Sequence, residues 1–93
     1  MNKFMVLHFG FSSPTPEMMD EWDEWFKSIS NIQLGQGGFM GGKEISKAGV
    51  KELTFDQDAI MGYNIIEAEN LEAAEKIIAT CPFISSVRVY AIR

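Results

Sequence analysis

The sequence has only one cysteine, Cys81, and only one histidine, His8. A single cysteine excludes a disulfide within the chain and a zinc site built from cysteines alone. A single histidine excludes a histidine pair or a histidine-rich metal site. We therefore expect no resident metal and no cofactor, and this cysteine usage fits a reducing compartment, so the expected location is the cytoplasm.

Long apolar runs and excess positive charge are also missing. No apolar run approaches the roughly 18 residues of a membrane-spanning helix, and residues 1–7 are too short for a targeting segment. The net charge is −5, and residues 17–24 hold five acids and no base. Because nucleic-acid binding requires a basic surface, we expect neither a membrane nor a nucleic acid as a partner.

The chain is short, and we expect residues 1–93 to form a single domain. Its composition, with 46% hydrophobic residues, is that of a folded protein. Domains of this size bury only about 60–65% of the surface that the unfolded chain exposes, so dimerisation is a common way to enlarge the core. Six methionines and eleven aromatic residues are many for this length. They indicate either core packing or an adaptable apolar pocket.

Two segments carry the signals of helices. Thr15 followed by Pro16 is typical of a helix start, because the hydroxyl caps free N–H groups and proline fits the first helical position. Apolar residues then recur every three or four positions as far as Ile29. Asn70 is a second candidate cap, and the helix that follows it is predicted to end before Pro82.

Strands are predicted on both sides of these helices. Residues 4–9 and 60–68 are rich in apolar residues, and residues 87–92 alternate between two faces. Residues 43–46 and 50–55 are predicted to pair as a hairpin. The segment from residue 30 to residue 42 holds most of the glycines, so it is expected to turn tightly or to move.

This order of elements predicts an α+β fold. Strand, helix, hairpin-like middle, strand, helix and strand correspond to the ferredoxin-like β-α-β-β-α-β arrangement, an antiparallel sheet with two helices on one face. The predicted strands carry large apolar residues on both faces, so a second layer must cover the face without helices. A second copy is the simplest source, which gives a homodimer in the form of a dimeric α/β barrel.

The glycine-rich segment GGFMGGK, residues 37–43, resembles a phosphate-binding loop up to its lysine. Glu44 stands where the loop requires serine or threonine, and its charge would repel phosphates. No strand of buried β-branched residues precedes the segment, and no helix is predicted to follow it. Glycines that serve turns explain it better than a nucleotide site does.

His8 and Asp58 are the candidate catalytic residues. A histidine in an apolar strand can be a satisfied core residue, or it can point into the barrel and act as a general acid or base near neutral pH. Asp58 and Asp56 precede a strand and are either ordinary turn residues or, for one of them, an inward-turned base.

Trp22, Tyr63 and Tyr90 are the candidate ligand-binding residues. They could line an apolar pocket for a small molecule, although packing in a core or an interface explains them equally well. Cys81, at a helix end, is expected to be buried and inert.

Several motifs resemble the YCII-related family. Residues 62–74 (GYNIIEAENLEAA) are similar to its strand, acidic turn and alanine-rich helix, and residues 81–83 (CPF) with 87–90 (VRVY) resemble its Cys-Pro turn and closing strand. The helix start at residues 16–22 also fits. Together these segments span about two-thirds of the chain, and the middle matches only loosely.

The resemblance implies a ferredoxin-like fold, a dimeric α/β barrel and a small-molecule site built on a His-Asp pair. Some members of the family are lyase-type enzymes acting on small chlorinated, carboxylated substrates. This sequence has Met18 or its neighbours near the place of the family histidine, so His8 would have to replace it. Two hypotheses follow: a dimer that binds a small organic ligand of carboxylate type, or a lyase or isomerase that uses Asp58 with His8.

Overall fold

The computed structural model describes residues 1–13 and 15–93. Within these residues the chain forms six strands and two helices. In chain order they are β1 (Asn2–Phe9), α1 (Pro16–Ser28), β2 (Gln33–Gly38), β3 (Gly42–Ser46), β4 (Gly49–Leu53), β5 (Ile60–Ala68), α2 (Leu71–Ile78) and β6 (Ser86–Ala91). Neither helix is long and apolar enough to cross a membrane.

Four of the strands form one antiparallel sheet in the order β2-β5-β1-β6. Strands β3 and β4 pair only with each other. Both helices lie on one face of the four-stranded sheet, because their buried residues share a core with the side chains on that face. The predicted α+β, ferredoxin-like fold is confirmed.

Both helices begin where the sequence predicts. The Thr15 hydroxyl oxygen accepts a hydrogen bond from the Met18 N–H at 3.2 Å, and the Asn70 side-chain oxygen accepts one from the Ala73 N–H at 2.8 Å. Each bond satisfies an N–H that has no partner within the helix. Helix α2 ends at Ile78, several residues before Pro82.

The core lies between the helices and one face of the sheet. Val6 and Ile66 are completely buried there, as is Ala74 of α2. The remaining buried apolar residues of this core are Phe4, Trp25, Ile29, Ala68, Ile78 and Cys81. The Trp25 indole N–H also donates to the Thr80 hydroxyl oxygen at 3.1 Å, which joins α1 to the segment after α2.

The glycine-rich segment forms an edge strand, so the prediction of a turn or mobile loop there is wrong for residues 33–38. Strand β2 pairs with β5 and places Gly37 opposite Tyr63. A Cβ at Gly37 would lie 2.5 Å from the Cε1 atom of Tyr63. Glycine is thus required by a neighbouring ring, which a pattern of side chains along the chain does not reveal.

The predicted hairpin is confirmed as β3 and β4, and it stands apart from the sheet. All of its residues are exposed, including Ile45 and Val50, which pair across the two strands. Two cross-strand pairs place opposite charges side by side, Lys43 with Glu52 and Glu44 with Lys51.

The face of the sheet away from the helices carries its own large side chains. Strand register places Met5, Leu7, Ile65 and Tyr90 there, and Tyr90 is 49% exposed. We call this surface the open face. The prediction that both faces of the sheet carry large apolar residues is confirmed.

Candidate functional site

A cavity of about 500 Å³ opens between helix α1 and one end of the sheet. On the helix-facing side, Gly38, Gly62 and His8 lie next to one another across strands β2, β5 and β1. Two of these three positions carry no side chain. The space that side chains would fill beneath the helix is therefore empty, and this absence forms the cavity.

The two glycines differ in what a side chain would meet. A Cβ at Gly62 would lie 2.8 Å from the carbonyl oxygen of Gly37, so the close approach of two strands requires glycine there. A Cβ at Gly38 would meet nothing closer than 3.9 Å and would project into the cavity. Gly62 is thus needed for the sheet, whereas Gly38 leaves the cavity floor bare.

Aromatic residues form the opposite wall. Trp22 and Phe26 are four positions apart on α1 and therefore share one side of the helix. Their ring centroids are 5.7 Å apart and their planes are inclined by 32°. Phe83 and Ile84, in the segment before β6, close another side. The cavity therefore has an aromatic wall and a backbone floor.

His8 is the ionisable group of the cavity, and its ring is held by two kinds of contact. It packs edge-to-face on Trp22 at a centroid distance of 5.1 Å, and Trp25 lies 5.9 Å away. Its Nε2 hydrogen-bonds the Oδ1 of Asn64, and the Asn64 amide donates to the Oε1 of Gln33. In this arrangement Nε2 carries the proton and Nδ1 the lone pair.

The environment of His8 favours the neutral ring. Burial lowers the pKa of His8 below its ordinary value of 6.5, and the hydrogen bond with Asn64 opposes this in part. Nδ1 is buried and has no hydrogen-bond partner among the described residues. Asn64, which is 1% exposed, is the only buried polar residue in the core of the described chain. His8 is therefore uncharged at neutral pH.

Three of the five candidate residues come together at the cavity: His8, Trp22 and Tyr63. Tyr63 contributes differently from the other two. Strand register places its ring on the open face, over Gly37, where it stacks on Phe39 at 5.7 Å. Its backbone is thus the part that faces the cavity.

Asp58 and Tyr90 lie elsewhere. Asp58 is exposed and does not line the cavity, and its backbone N–H donates to the Asp56 carboxylate at 2.9 Å. This bond, together with one from Thr54, lowers the pKa of Asp56, as expected of a carboxylate in a turn. Tyr90 is on the open face beside Arg88. The hydrogen-bond partner of His8 is Asn64 rather than an aspartate.

Comparison with solved structures finds a likeness of fold. No family model matches the sequence, and no curated protein matches it. The fold is similar to that of 5-chloro-2-hydroxyhydroquinone dehydrochlorinase from Burkholderia phenoliruptrix AC1100, whose structure is a complex with 2,5-dihydroxybenzoquinone. The TM-score is 0.62 at 13% identity, over 98% of this chain and 93% of the other. At this identity the likeness shows a shared fold and no more.

The sequence interpretation missed Asn64, Gln33 and the glycine floor. One signal for Asn64 is visible in the sequence: it is the only strongly polar residue among positions 62, 64, 66 and 68, the alternate positions of an apolar strand. Gln33 carries no such signal, because its role depends on the pairing of β2 with β5. The bare floor depends on the same pairing.

The structure gives little support for a cysteine nucleophile or for a metal site. Burial raises the pKa of the Cys81 thiol to about 11, so it is protonated and a poor nucleophile, as predicted. Among residues 1–13 and 15–93, no three histidine, cysteine, aspartate or glutamate side chains cluster as metal ligands would. The arrangement can enclose a small molecule beside the neutral ring of His8, whose Nε2 is bonded to Asn64 and whose Nδ1 is buried.

Proposed function

We propose that this protein binds a small organic molecule in the cavity between α1 and the sheet. The observation that carries the proposal is the row Gly38–Gly62–His8, which leaves an empty, aromatic-walled space next to a neutral histidine. Its size is within the range of small-molecule sites, and its apolar lining with a few polar groups is typical of them. A protein of the same fold holds a small ring compound in its structure.

A ligand screen tests this proposal. A library of small carboxylates, carboxamides and aromatic metabolites is screened by thermal shift, because a ligand that binds only the folded state raises Tm. Hits are then followed by NMR through the imidazole of His8, which is unambiguous in a chain with one histidine. Binding that shifts His8 and Trp22 signals supports the proposal. A library without a single such binder contradicts it.

A lyase or isomerase activity is the second candidate, because a neutral imidazole in a ligand-sized cavity can take up or release a proton. Asp58, the predicted partner, would have to approach from its exposed turn, whereas Asn64 already holds Nε2. For any ligand found, His8→Gln separates the two functions. An enzyme that uses His8 loses turnover and keeps ligand affinity. If turnover in His8→Gln equals that of the natural protein, His8 has no catalytic role.

We also propose that two copies associate through the open face, as a YCII-related homodimer in the cytoplasm. Neither α1 nor α2 covers this face, and Met5, Leu7 and Ile65 lie at its centre. Burying these side chains against a second copy would remove apolar surface from water, at about 25 cal/mol per Å². For a chain of 93 residues this adds substantially to a small core.

A further inference from the structure

We propose that the cavity selects a flat, uncharged ring and rejects carboxylates. This inference depends on the proposed ligand binding and names the class of ligand. It differs from the carboxylate-type ligand expected from the sequence, and it follows from two properties of the cavity: the charge of its lining and the shape of its floor.

Among residues 1–13 and 15–93, those that line the cavity include no lysine, arginine, aspartate or glutamate. Burial lowers the pKa of His8, which disfavours a positive charge on its ring. Arg88 is on the opposite side of the sheet, over the ring of Phe9 at 4.8 Å. A carboxylate in the cavity would lose hydration without gaining a counter-charge, which is strongly unfavourable.

The negative charge of the whole protein also disfavours a carboxylate ligand. Helix α1, which provides Trp22 and Phe26 to the wall, also carries the acidic stretch of residues 17–24. The chain as a whole has a net charge of −5. The potential around the protein is therefore negative on average, which lowers the concentration of anions near its surface.

The shape of the cavity favours a flat molecule. Its floor is the bare backbone of Gly38 and Gly62, and its opposite wall is the pair of rings from Trp22 and Phe26. Aromatic surfaces gain most from stacked or edge-to-face rings. An aromatic ring would present a π face to this wall, whereas a puckered ring of the same size would not.

Polar side chains near the floor can hydrogen-bond a neutral substituent of the ligand. Asn64 and Gln36 line the cavity next to His8. Amide groups donate and accept hydrogen bonds without charge. They match a hydroxyl, carbonyl or carboxamide on the edge of a ring.

Three probes of nearly equal size separate charge from shape: benzamide, benzoate and cyclohexanecarboxamide. Their affinities for the natural protein are measured by NMR titration at neutral pH, from the shifts of His8 and of the Trp22 indole. We expect benzamide to bind at least about tenfold more tightly than benzoate, because burying an unpaired charge costs more than 1.4 kcal/mol. Cyclohexanecarboxamide should bind more weakly than benzamide. Equal or tighter binding of benzoate overturns the charge selection, and equal binding of cyclohexanecarboxamide overturns the selection for a flat ring.

Two glycine variants show whether the ring lies on the proposed floor. In Gly38→Val the new side chain projects into the cavity, where no atom lies within 3.9 Å of its Cβ. In Gly41→Val, the matched control, the Cβ has no neighbour within 4 Å, and the position does not line the cavity. Gly38→Val should lose benzamide binding with an unchanged Tm, and Gly41→Val should keep both. Equal benzamide affinity in the two variants overturns the placement of the ring.

The two proposals fail in different ways. If the screen finds a ligand that shifts His8 and Trp22 signals but benzamide does not, this inference is overturned and the proposed function stands. If no compound of any class shifts these signals, both are overturned.

Discussion

His8 is held in one orientation by Asn64, whose side chain accepts a hydrogen bond from Nε2 and donates one to the Oε1 of Gln33. The partner of this imidazole is a neutral amide. An aspartate in the same place would stabilise the charged ring, whereas an amide leaves it neutral. The pair therefore fixes the tautomer of His8 without fixing a charge in the cavity.

Stability should depend on pH through His8. The pKa of the folded state is below 6.5, the value expected for an unfolded chain. Between the folded-state and unfolded-state pKa values of His8, the unfolded chain binds more protons than the folded protein. The free energy of unfolding therefore decreases as pH falls below about 6.5, and the contribution of His8 is fully retained above that pH. Urea unfolding at a series of pH values measures this slope, and His8→Gln should remove it.

Asp56 provides a separate pH window for comparison. Its pKa is lowered from 3.8, so its contribution is retained above that value and is lost only in more acidic solution. The window for His8 lies between about pH 5 and 6.5, because the ordinary histidine pKa is about 6.5. If the free energy of unfolding changes with pH in this window by the same amount in the natural protein and in His8→Gln, the assignment to His8 is contradicted.

Replacing Asn64 should move the pKa of His8 in a direction set by the new side chain. In Asn64→Asp a carboxylate would face Nε2, and the pKa should rise because the negative charge stabilises the protonated ring. In Asn64→Leu the hydrogen bond that partly opposes burial is lost, so the pKa should fall. NMR titration of the single histidine measures both. A pKa in Asn64→Asp at or below that of the natural protein would show that Asn64 does not contact the ring.

Gly37→Ala should destabilise the fold, because its Cβ would lie 2.5 Å from the ring of Tyr63. We expect a loss of about 1–3 kcal/mol in the free energy of unfolding, as for other overpacked sites. Gly41→Ala, which meets no atom within 4 Å, should change it by less than about 0.5 kcal/mol. Chemical denaturation measures both. Tyr63→Leu combined with Gly37→Ala should recover part of the loss, and no recovery would mean that the ring is not the cause.

Association through the open face can be tested at Tyr90. Its side chain is 49% exposed in the single copy, so Tyr90→Lys should leave each copy folded while placing a second positive charge beside Arg88 in the interface. Light scattering at micromolar concentration should show a dimer for the natural protein and a monomer for this variant. Val50→Lys, on the separate hairpin and 65% exposed, should remain a dimer. A monomeric natural protein, or dissociation only in Val50→Lys, would exclude the open face as the interface.

The sequence predicts well those features that depend on neighbours along the chain. Thr15 and Asn70 cap their helices because each bonds an N–H three residues later, and that spacing is visible in the sequence. The alternation in β6 likewise predicts that Val87 and Val89 lie on one face and Tyr90 on the other. In the structure the two valines pack against the core and Tyr90 lies on the open face.

Features that depend on pairing between distant segments could not be predicted. Strand β2 shows no apolar pattern at Gly37, because the ring of Tyr63 from strand β5 occupies the space that a side chain at position 37 would fill. The site has the same origin, since Asn64 meets Gln33 only through the pairing of β5 with β2. The chemistry of its carboxylate favours Asp58 as a partner of His8, but the chain path leaves Asp58 at the surface.

The two floor glycines have unequal fates under random mutation. A change at Gly62 forces the strands apart and is removed by misfolding. A larger side chain at Gly38 should narrow the cavity and leave the strand pairing intact. Lineages that stop using the cavity should therefore lose the glycine at position 38 first, which makes this position a record of whether selection still maintains the site.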